Sequence, residues 1–339
     1  MSPRPESLGY SVYLTSFERQ REELEALAGS GAPVFLSLHI GEEFSQDYCR
    51  RAEEACRWLK DRDYRILADI STKTVAQFGQ PDLLRLAERL GIWAFRVDYG
   101  FTAEEIAALA AHIPVVVNAS TARPEDAARI AAAGPLVMAM HNFYPRPETG
   151  LDDSFFLEST KALQAAGLKV LAFIPGDREL RGPICAGLPT LERHRGMPPS
   201  ACFADLAVRL GVDGVFVGDP GISPREGARI RRFCREGVLE IPARLAPEAE
   251  WLYGQVFTNR PDAPSWLIRF AESREYSCFG RQVEPGRCLP RTRGSITVDN
   301  HGYGRYSGEV QLIRADLPAD SRVNVVGQVE EPWLLLADC

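Results

Sequence analysis

Lysine is scarce in this sequence, because only four of its 39 basic residues are lysines. An anionic ligand would therefore be held by arginine, whose planar guanidinium group donates in pairs to phosphate or carboxylate oxygens. The net charge of −7 is spread along the chain without long acidic or basic runs. This pattern argues against nucleic acid or an anionic membrane as the main partner.

Targeting signals and paired cysteines are also missing. The chain does not begin with the basic, apolar and small-residue pattern of a secretory signal, and no apolar run is long enough to span a bilayer. We therefore expect a cytoplasmic protein. The eight cysteines show no CxxC pair and no regular spacing, which favours reduced thiols over disulfides or a zinc site.

Short apolar runs alternate with amphipathic segments from residue 9 to about 236. Eight runs have strand character, at 10–14, 34–39, 65–70, 93–98, 115–118, 136–141, 169–174 and 214–217. Helical periodicity predicts helices between and after them, at 18–28, 47–59, 83–90, 103–111, 125–132, 155–165, 201–210 and 225–234. Eight such units favour a closed (β/α)8 TIM barrel, although an open doubly wound sheet remains an alternative. No GxGxxG follows the first strand, which argues against a dinucleotide fold.

The chain changes character after about residue 240. Strand-like stretches at 294–300, 306–313, 322–329 and 332–336 are separated by Gly, Pro and Asp turns, with little helical periodicity. We therefore predict two domains. Residues 8–240 form the barrel, and residues 250–339 form a smaller β-rich domain.

Polar side chains follow the carboxyl ends of the predicted strands. These ends converge on one mouth in a (β/α)8 barrel, and enzymes of this fold place their chemistry there. The residues at or just after them include Tyr13, His39, Asp69, Arg96, Asp98, Asn118, His141, Asn142, Tyr144, Arg146 and Asp219. No lysine stands at a strand end, because Lys169 begins its strand and the others fall in helical segments, so Schiff-base chemistry is disfavoured. Hydroxyls, amides, aromatics and carboxylates together indicate a site for a polar, sugar-sized ligand.

Three carboxylates, Asp69, Asp98 and Asp219, are the candidate catalytic groups. Two such groups can perform acid and base work, or acid and nucleophile work, on a glycosidic bond. Each could instead cap a helix or pair with an arginine. Candidate ligand-binding side chains are Tyr13, His39, Arg96, Asn118, His141, Asn142 and Tyr144, and the candidate anion clamps are Arg146, Arg181 and Arg274. No HxH or HExxH spacing supports a metal site, so we expect hydrolysis without a metal or organic cofactor.

Several motifs, in order along nearly the whole chain, resemble those of the bacterial 6-phospho-N-acetylmuramidase family. They lie at 9–13, 37–40, 97–101, 118–121, 141–147, 181–183, 187–195, 218–220, 272–274, 299–300, 306 and 316–318. The resemblance implies a TIM barrel followed by a small cyclophilin-like β-barrel domain. It also implies a cytosolic exo-acting glycoside hydrolase of peptidoglycan recycling.

The implied substrate is a disaccharide of N-acetylmuramic acid 6-phosphate linked β-1,4 to N-acetylglucosamine. On this hypothesis the candidate arginines take the phosphate or lactyl carboxylate, and the candidate histidines, amides and tyrosine orient sugar hydroxyl and acetamido groups. Two rivals stay open: a hydrolase of another phosphorylated sugar or glycan, and a non-catalytic phosphosugar-binding protein. The sequence also leaves open a retaining or an inverting course, and a monomer or a homodimer.

Overall fold

The computed structural model of the protein describes residues 7–38, 47–97, 100–262, 264–278 and 282–339. The chain separates into two units, Met1–Glu236 and Gly237–Cys339. The first unit contains the alternating strands and helices, and the second contains an antiparallel sheet.

Eight parallel strands close into a barrel in the first unit. Their bounds are β1 Leu8–Val12, β2 Pro33–Ser37, β3 Arg65–Ile70, β4 Ile92–Val97, β5 Val115–Asn118, β6 Val137–Met140, β7 Lys169–Ile174 and β8 Gly214–Val217. Each strand pairs with the next along the chain, and β8 pairs in parallel with β1. The predicted TIM barrel is confirmed, and the open doubly wound alternative is excluded.

Helices follow the strands of the barrel. Their bounds are α1 Phe17–Glu25, α2 Tyr48–Lys60, α3 Thr74–Gln77, α4 Leu83–Leu90, α5 Ala103–Ala110, α6 Pro124–Ala131, α7 Asp153–Ala165, α8 Pro199–Ala204 and α9 Pro224–Glu236. The helix predicted at 201–210 is α-helical only to Ala204, and a five-residue π-helix, Asp205–Arg209, continues it. None of the helices in the described ranges is long and apolar enough to cross a membrane.

Local signals explain several helix ends. At the start of α5, Thr102 Oγ1 accepts from Glu105 N at 3.2 Å, and Glu105 Oε2 accepts from Thr102 N at 2.8 Å. This reciprocal pair satisfies two backbone donors that the helix itself cannot satisfy. Gly91 after α4 and Gly167 after α7 have φ of 70° and 91°, the left-handed conformation that ends a helix at least cost when the residue is glycine.

The barrel interior is filled by alternate residues of the strands, because successive side chains of a strand point to opposite faces. The buried interior cluster consists of Phe35, Leu67, Ala94, Val116, Met138, Met140, Leu171, Phe173 and Phe216. Three of its phenylalanines pack edge to face or tilted, with Phe173 in the middle at 5.4 Å from Phe35 and 5.9 Å from Phe216. The interior is therefore a packed apolar core, and a ligand can enter only at its ends.

A five-stranded antiparallel sheet forms the second unit. Its strands are β9 Ala243–Leu245, β10 Leu267–Arg269, β11 Ser295–Asp299, β12 Val310–Ile313 and β13 Val323–Val329, paired in the order β10-β12-β11-β13-β9. The predicted β-rich character is confirmed, but helix α10, Ala271–Cys278, was not predicted. The strand predicted at 332–336 is wrong, since Glu331–Asp338 is a 3-10 helix with proline in its first turn, where the missing N–H costs nothing.

Candidate functional site

A ring of polar side chains lies one inward position beyond the apolar interior of the barrel. We call it the mouth ring, and it consists of Ser37, Asp69, Arg96, Asn118 and Asn142. Each member stands two residues after an interior side chain, so strand alternation points it to the same side of the sheet. All are buried except Asn142, which is half-buried. The carboxyl ends of β2 to β6 therefore meet as the sequence predicts.

Asp69 and Arg96 form the centre of the mouth ring. Arg96 Nη1 donates to Asp69 Oδ1 at 2.8 Å, and Ser37 Oγ donates to Asp69 Oδ2 at 3.3 Å. Arg96 Nη2 also donates to Asn142 Oδ1. A guanidinium group in contact with a carboxylate stabilises its charged form. Asp69 is thus held as an oriented anion at the end of β3.

Tyr144 is fixed beside the mouth ring by its backbone. Its N donates to Pro189 O at 3.0 Å, and its O accepts from Arg195 Nη2 at 2.9 Å. Its hydroxyl lies 3.3 Å from Ser120 Oγ, and Ser120 N donates to Asn118 Oδ1 at 3.0 Å. Hydroxyl and amide groups with fixed backbones are suited to orient sugar hydroxyls.

The loop after β6, residues 141–150, is fastened to the loop after β7 by an ion pair. Arg195 donates to both carboxylate oxygens of Glu192, from Nε at 2.7 Å and from Nη2 at 2.8 Å. Glu192 also accepts from Glu148 N at 2.9 Å and from Gly150 N at 2.8 Å. The hydrogen bond from Arg195 is the main cause that lowers the pKa of Glu192 to about 2. This bidentate ion pair fixes the loop 141–150 against the loop after β7.

Phe143 forms an apolar floor beneath the polar groups. Its ring packs edge to face on Phe173 at 5.1 Å and on Phe35 at 6.3 Å, which come from β7 and β2 on different sides of the barrel. Phe143 is half-buried, so part of the ring remains accessible. A partly exposed aromatic ring beside hydroxyl and amide groups can stack against the apolar face of a sugar.

Asp219 is buried and fastens the loop after β7 to the end of β8. Its Oδ2 accepts from Gly176 N at 2.8 Å and Leu188 N at 2.9 Å, and its Oδ1 accepts from Arg181 N at 2.9 Å. Burial raises the pKa of Asp219, and the three N–H donors partly offset that effect. A Cβ at position 176 would lie 2.8 Å from Asp219 Cβ, so this approach requires glycine. The geometry favours a positioning role over the predicted catalytic one.

A cavity of about 460 Å³ opens beside the loops after β1, β7 and β8. Within it, the Arg181 guanidinium carbon lies 4.5 Å from the centroid of the Tyr13 ring, and Tyr13 OH donates to Gly218 O at 2.5 Å. Arg19 pairs with Glu179 at 2.7 Å at the same cavity. The volume suits a small ligand, and this corner of a (β/α)8 barrel commonly binds phosphate.

His141 does not reach the mouth, which corrects its predicted role in substrate binding. Its side chain is 0% exposed, its Nε2 lies 3.0 Å from Thr160 Oγ1, and its ring centroid is 4.5 Å from that of Phe156. Both partners belong to α7 on the outside of the barrel. The reason is strand alternation: Met140 points inward, so the next residue points outward. Burial lowers the pKa of His141 to about 4, so the ring is neutral at pH 7.

The remaining predicted site residues are not brought together with the mouth ring by the described structure. Arg146 is exposed on the loop after β6, and its guanidinium group has no hydrogen-bond partner within the described residues. Arg274 belongs to the second unit, where its Nη1 donates to Glu309 Oε1 at 2.5 Å. His39 and Asp98 lie outside the described residues.

Three residues of this site were not among the predicted site residues, although the motifs at 141–147 and 187–195 contain them. Glu192 and Arg195 follow no strand, and their spacing of three residues is also typical of an ordinary helical surface pair. Phe143 follows Asn142 directly, so alternation alone would point it away from the mouth. It packs on the interior rings of Phe35 and Phe173 because β6 ends at Met140, and strict strand alternation does not extend to residue 143.

Comparisons with known proteins match both units. A family model described as "6-phospho-N-acetylmuramidase, N-terminal" matches residues 8–232, and one described as "6-phospho-N-acetylmuramidase, C-terminal" matches residues 240–339. A search of curated proteins gave no significant match.

Two solved structures resemble the whole chain. A conserved protein of unknown function from Enterococcus faecalis is 32% identical, with a TM-score of 0.80, and the similarity covers 97% of this chain and 92% of that one. An uncharacterised Bacillus cereus protein is 23% identical, with a TM-score of 0.77, and covers 98% of this chain and 96% of its own.

Proposed function

This chain belongs to the 6-phospho-N-acetylmuramidase family, and from that premise we propose that it cleaves a phosphorylated disaccharide of the bacterial cell wall. The family name implies a glycosidase. The proposed substrate is N-acetylmuramic acid 6-phosphate linked β-1,4 to N-acetylglucosamine. The proposed setting is peptidoglycan recycling in the cytoplasm, without nucleic acid or membrane as a partner.

The observation that carries this proposal is the buried Asp69–Arg96 pair at the barrel mouth. Glycoside hydrolysis passes through a transition state with positive charge on the sugar ring, which an oriented carboxylate stabilises. We assign this ionised role to Asp69, whose contacts with Arg96 and Ser37 fix its orientation. Asp98, two residues after Arg96 in the chain, remains the proposed second carboxylate that protonates the leaving oxygen.

Asp219 has a supporting role in this proposal. Both of its oxygens accept backbone N–H groups of the loop after β7, and only 1% of the residue is exposed. A proton donor to a glycosidic oxygen must reach that oxygen directly. We therefore propose that Asp219 holds Arg181 and its loop in place instead of transferring a proton.

The substrate would be bound through three kinds of contact: hydrogen bonds, ring stacking and an arginine–phosphate interaction. Asn118, Asn142 and Tyr144 would meet sugar hydroxyl and acetamido groups, and the exposed part of Phe143 would stack on a sugar face. Arg181 in the cavity beside β1, β7 and β8 would hold the 6-phosphate, since a guanidinium fork matches phosphate oxygens. Arg146 and His39 remain proposed ligands of the same sugar.

One incubation separates this reaction from its rivals. The protein is mixed with the 6-phosphorylated disaccharide and, separately, with its unphosphorylated form, and products are followed by mass spectrometry. We expect N-acetylmuramic acid 6-phosphate and N-acetylglucosamine from the first and much slower cleavage of the second. Binding without cleavage of either compound would identify a phosphosugar-binding protein. Equal cleavage of both would show that the enzyme does not recognise the 6-phosphate.

A further inference from the structure

One segment of the loop after β7 contacts two different parts of the barrel. We call residues 189–195 the tether segment. On the side of the mouth, Pro189 O accepts from Tyr144 N at 3.0 Å, and Thr190 Oγ1 donates to Asn142 O at 2.9 Å. The tether segment therefore holds the backbone of Asn142 and Tyr144, the two proposed sugar ligands that follow β6.

Two neighbouring side chains fasten the tether segment to the outer helices. Arg193 Nε donates to Asp153 Oδ1 at 2.5 Å at the start of α7, and Arg193 Nη2 donates to Asp205 of the π-helix. His194 Nε2 donates to Asp205 Oδ2 at 3.0 Å, and both of these residues are 0% exposed. Adjacent residues of the tether segment thus share one buried carboxylate.

The charges of this outer cluster are balanced. Arg209 completes it, since its Nε donates to Asp205 Oδ1 at 2.7 Å and its Nη2 donates to Asp153 Oδ2 at 2.7 Å. Burial opposes the charge of Asp205, but hydrogen bonds from His194 and Arg209 outweigh it and lower the pKa of Asp205 to about 2. Burial also lowers the pKa of His194, so its ring is neutral at pH 7. Two carboxylates and two guanidinium groups therefore form one hydrogen-bonded network, which holds its members rigidly.

Arg193 and Arg209 are a matched pair that differs in position. Both donate to Asp153 and Asp205, and 29% of each side chain is exposed. Arg193 belongs to the tether segment, whereas Arg209 is the last residue of the π-helix. Loss of Arg193 therefore releases the tether segment, while loss of Arg209 removes equivalent contacts between the π-helix and α7.

We propose that Arg193 is a positioning residue for the proposed glycoside hydrolysis, and that its ties to Asp153 and Asp205 keep Asn142 and Tyr144 in place for the sugar. This role rests on the proposed function. Arg193 acts without touching the sugar, because the tether segment passes its position to the mouth through hydrogen bonds. Such support matters because a shift of about 1 Å in a contacting group is enough to weaken a site.

Steady-state kinetics on the 6-phosphorylated disaccharide test this role. Arg193→Gln should raise KM by about fivefold to tenfold and change kcat by less than about twofold, since it loosens substrate contacts and leaves the carboxylates of the mouth in place. Arg209→Gln should lower the midpoint of urea unfolding by a similar amount but leave KM within about twofold of the wild type. Arg193→Lys keeps the charge but donates from a single nitrogen, so its KM should lie between those of wild type and Arg193→Gln. It is the test variant if Arg193→Gln does not fold.

Hydrogen exchange gives a second measurement that needs no turnover. The N–H groups of Tyr144, Glu148 and Gly150 donate to the tether segment. We expect them to exchange about fivefold faster or more in Arg193→Gln than in Arg209→Gln, because the segment that protects them is released. The positioning role is overturned if Arg193→Gln leaves either KM or this exchange as in the wild type, or if Arg209→Gln raises both as much as Arg193→Gln does.

Failure of the proposed reaction can be told apart from failure of the positioning role. If the wild type binds the disaccharide without cleaving it, the glycosidase proposal fails, and dissociation constants from calorimetry replace KM in the same comparison. A wild type that neither binds nor cleaves the disaccharide would overturn both proposals.

Discussion

Arg96 and Asp69 form a hydrogen-bonded ion pair of 2.8 Å in which both side chains are at most 7% exposed. The pair joins the ends of β3 and β4, and Arg96 extends it to Asn142 after β6. A buried ion pair is weak evidence for stability, because desolvation offsets much of the attraction. We therefore propose that its position at the mouth of the barrel, among amides and hydroxyls, serves the proposed glycoside hydrolysis.

We predict that Asp69→Asn lowers kcat by about a hundredfold or more, because the variant loses the negative charge that faces the transition state. It should also lose about 3 kcal/mol of unfolding free energy, since the buried Arg96 guanidinium loses its charged partner Asp69. Steady-state kinetics and urea unfolding measure both effects. Asp82→Asn, at the exposed start of α4, is the control and should change neither quantity. Full activity in Asp69→Asn would show that the Asp69 carboxylate does not stabilise the transition state.

Strand periodicity was enough to predict the barrel and the positions where its mouth residues stand. It correctly brings Asp69, Arg96 and Asn118 together, because each follows an inward-facing apolar residue by two. It failed at His141, where the same alternation turns the side chain outward. The prediction for His141 relied on its position near the end of β6. It did not consider which face of the sheet the side chain occupies.

Loop contacts could not be predicted in the same way. Glu192 is far in the chain from Glu148, yet its carboxylate accepts the N–H of Glu148 at 2.9 Å. Such contacts depend on how two loops pack, and no local periodicity encodes that. The strand expected at 332–336 failed for a related reason, because a run of leucines after proline suits a 3-10 helix as well as a strand.

Asp219→Asn tests whether this residue positions a loop or transfers a proton. An amide nitrogen cannot accept the N–H groups that Asp219 now accepts, so we expect the loop 176–188 to loosen. KM for the phosphorylated disaccharide should rise by about tenfold while kcat changes by less than about threefold. Limited proteolysis should cut this loop faster than in the wild type. A thousandfold fall in kcat at unchanged KM would instead support the catalytic assignment.

Phe143 should contribute to sugar binding through its ring. Phe143→Leu keeps much of the contact with Phe35 and Phe173 but removes the flat surface, so we expect KM to rise by about fivefold to tenfold, the scale of about 1 kcal/mol for an aromatic contact. The unfolding free energy should fall by less than about 1.5 kcal/mol. Phe155→Leu, an exposed phenylalanine on α7, serves as the control. An unchanged KM in Phe143→Leu would show that the Phe143 ring contributes to packing and not to sugar binding.

His141 should affect acid stability and leave catalysis unchanged. Its pKa is lowered from 6.5 to about 4 in the folded protein, so the unfolded chain binds a proton that the buried ring does not. Unfolding free energy should therefore fall as pH drops from 6.5 to about 4, by on the order of 3 kcal/mol from this residue alone. His141→Gln cannot titrate and should show a correspondingly smaller fall, at unchanged kcat. His112→Gln, at an exposed histidine, should follow the wild-type curve.

Glu192→Gln should lower the free energy of unfolding by an amount that depends on pH. The folded-state pKa of Glu192 is lowered from 4.5 to about 2, so its stabilising contribution is complete above pH 4.5 and is lost as pH falls towards 2. At pH 7 the variant should be less stable by about 1–3 kcal/mol, the scale of a charge-assisted hydrogen bond, and this difference should vanish near pH 2. KM should rise by a few fold, because Tyr144 is held through Arg195. Glu18→Gln removes an exposed helical partner of Arg21 and should cost less than about 0.5 kcal/mol at any pH. A difference between Glu192→Gln and wild type that stays constant from pH 7 to pH 2 would contradict the role of its charge.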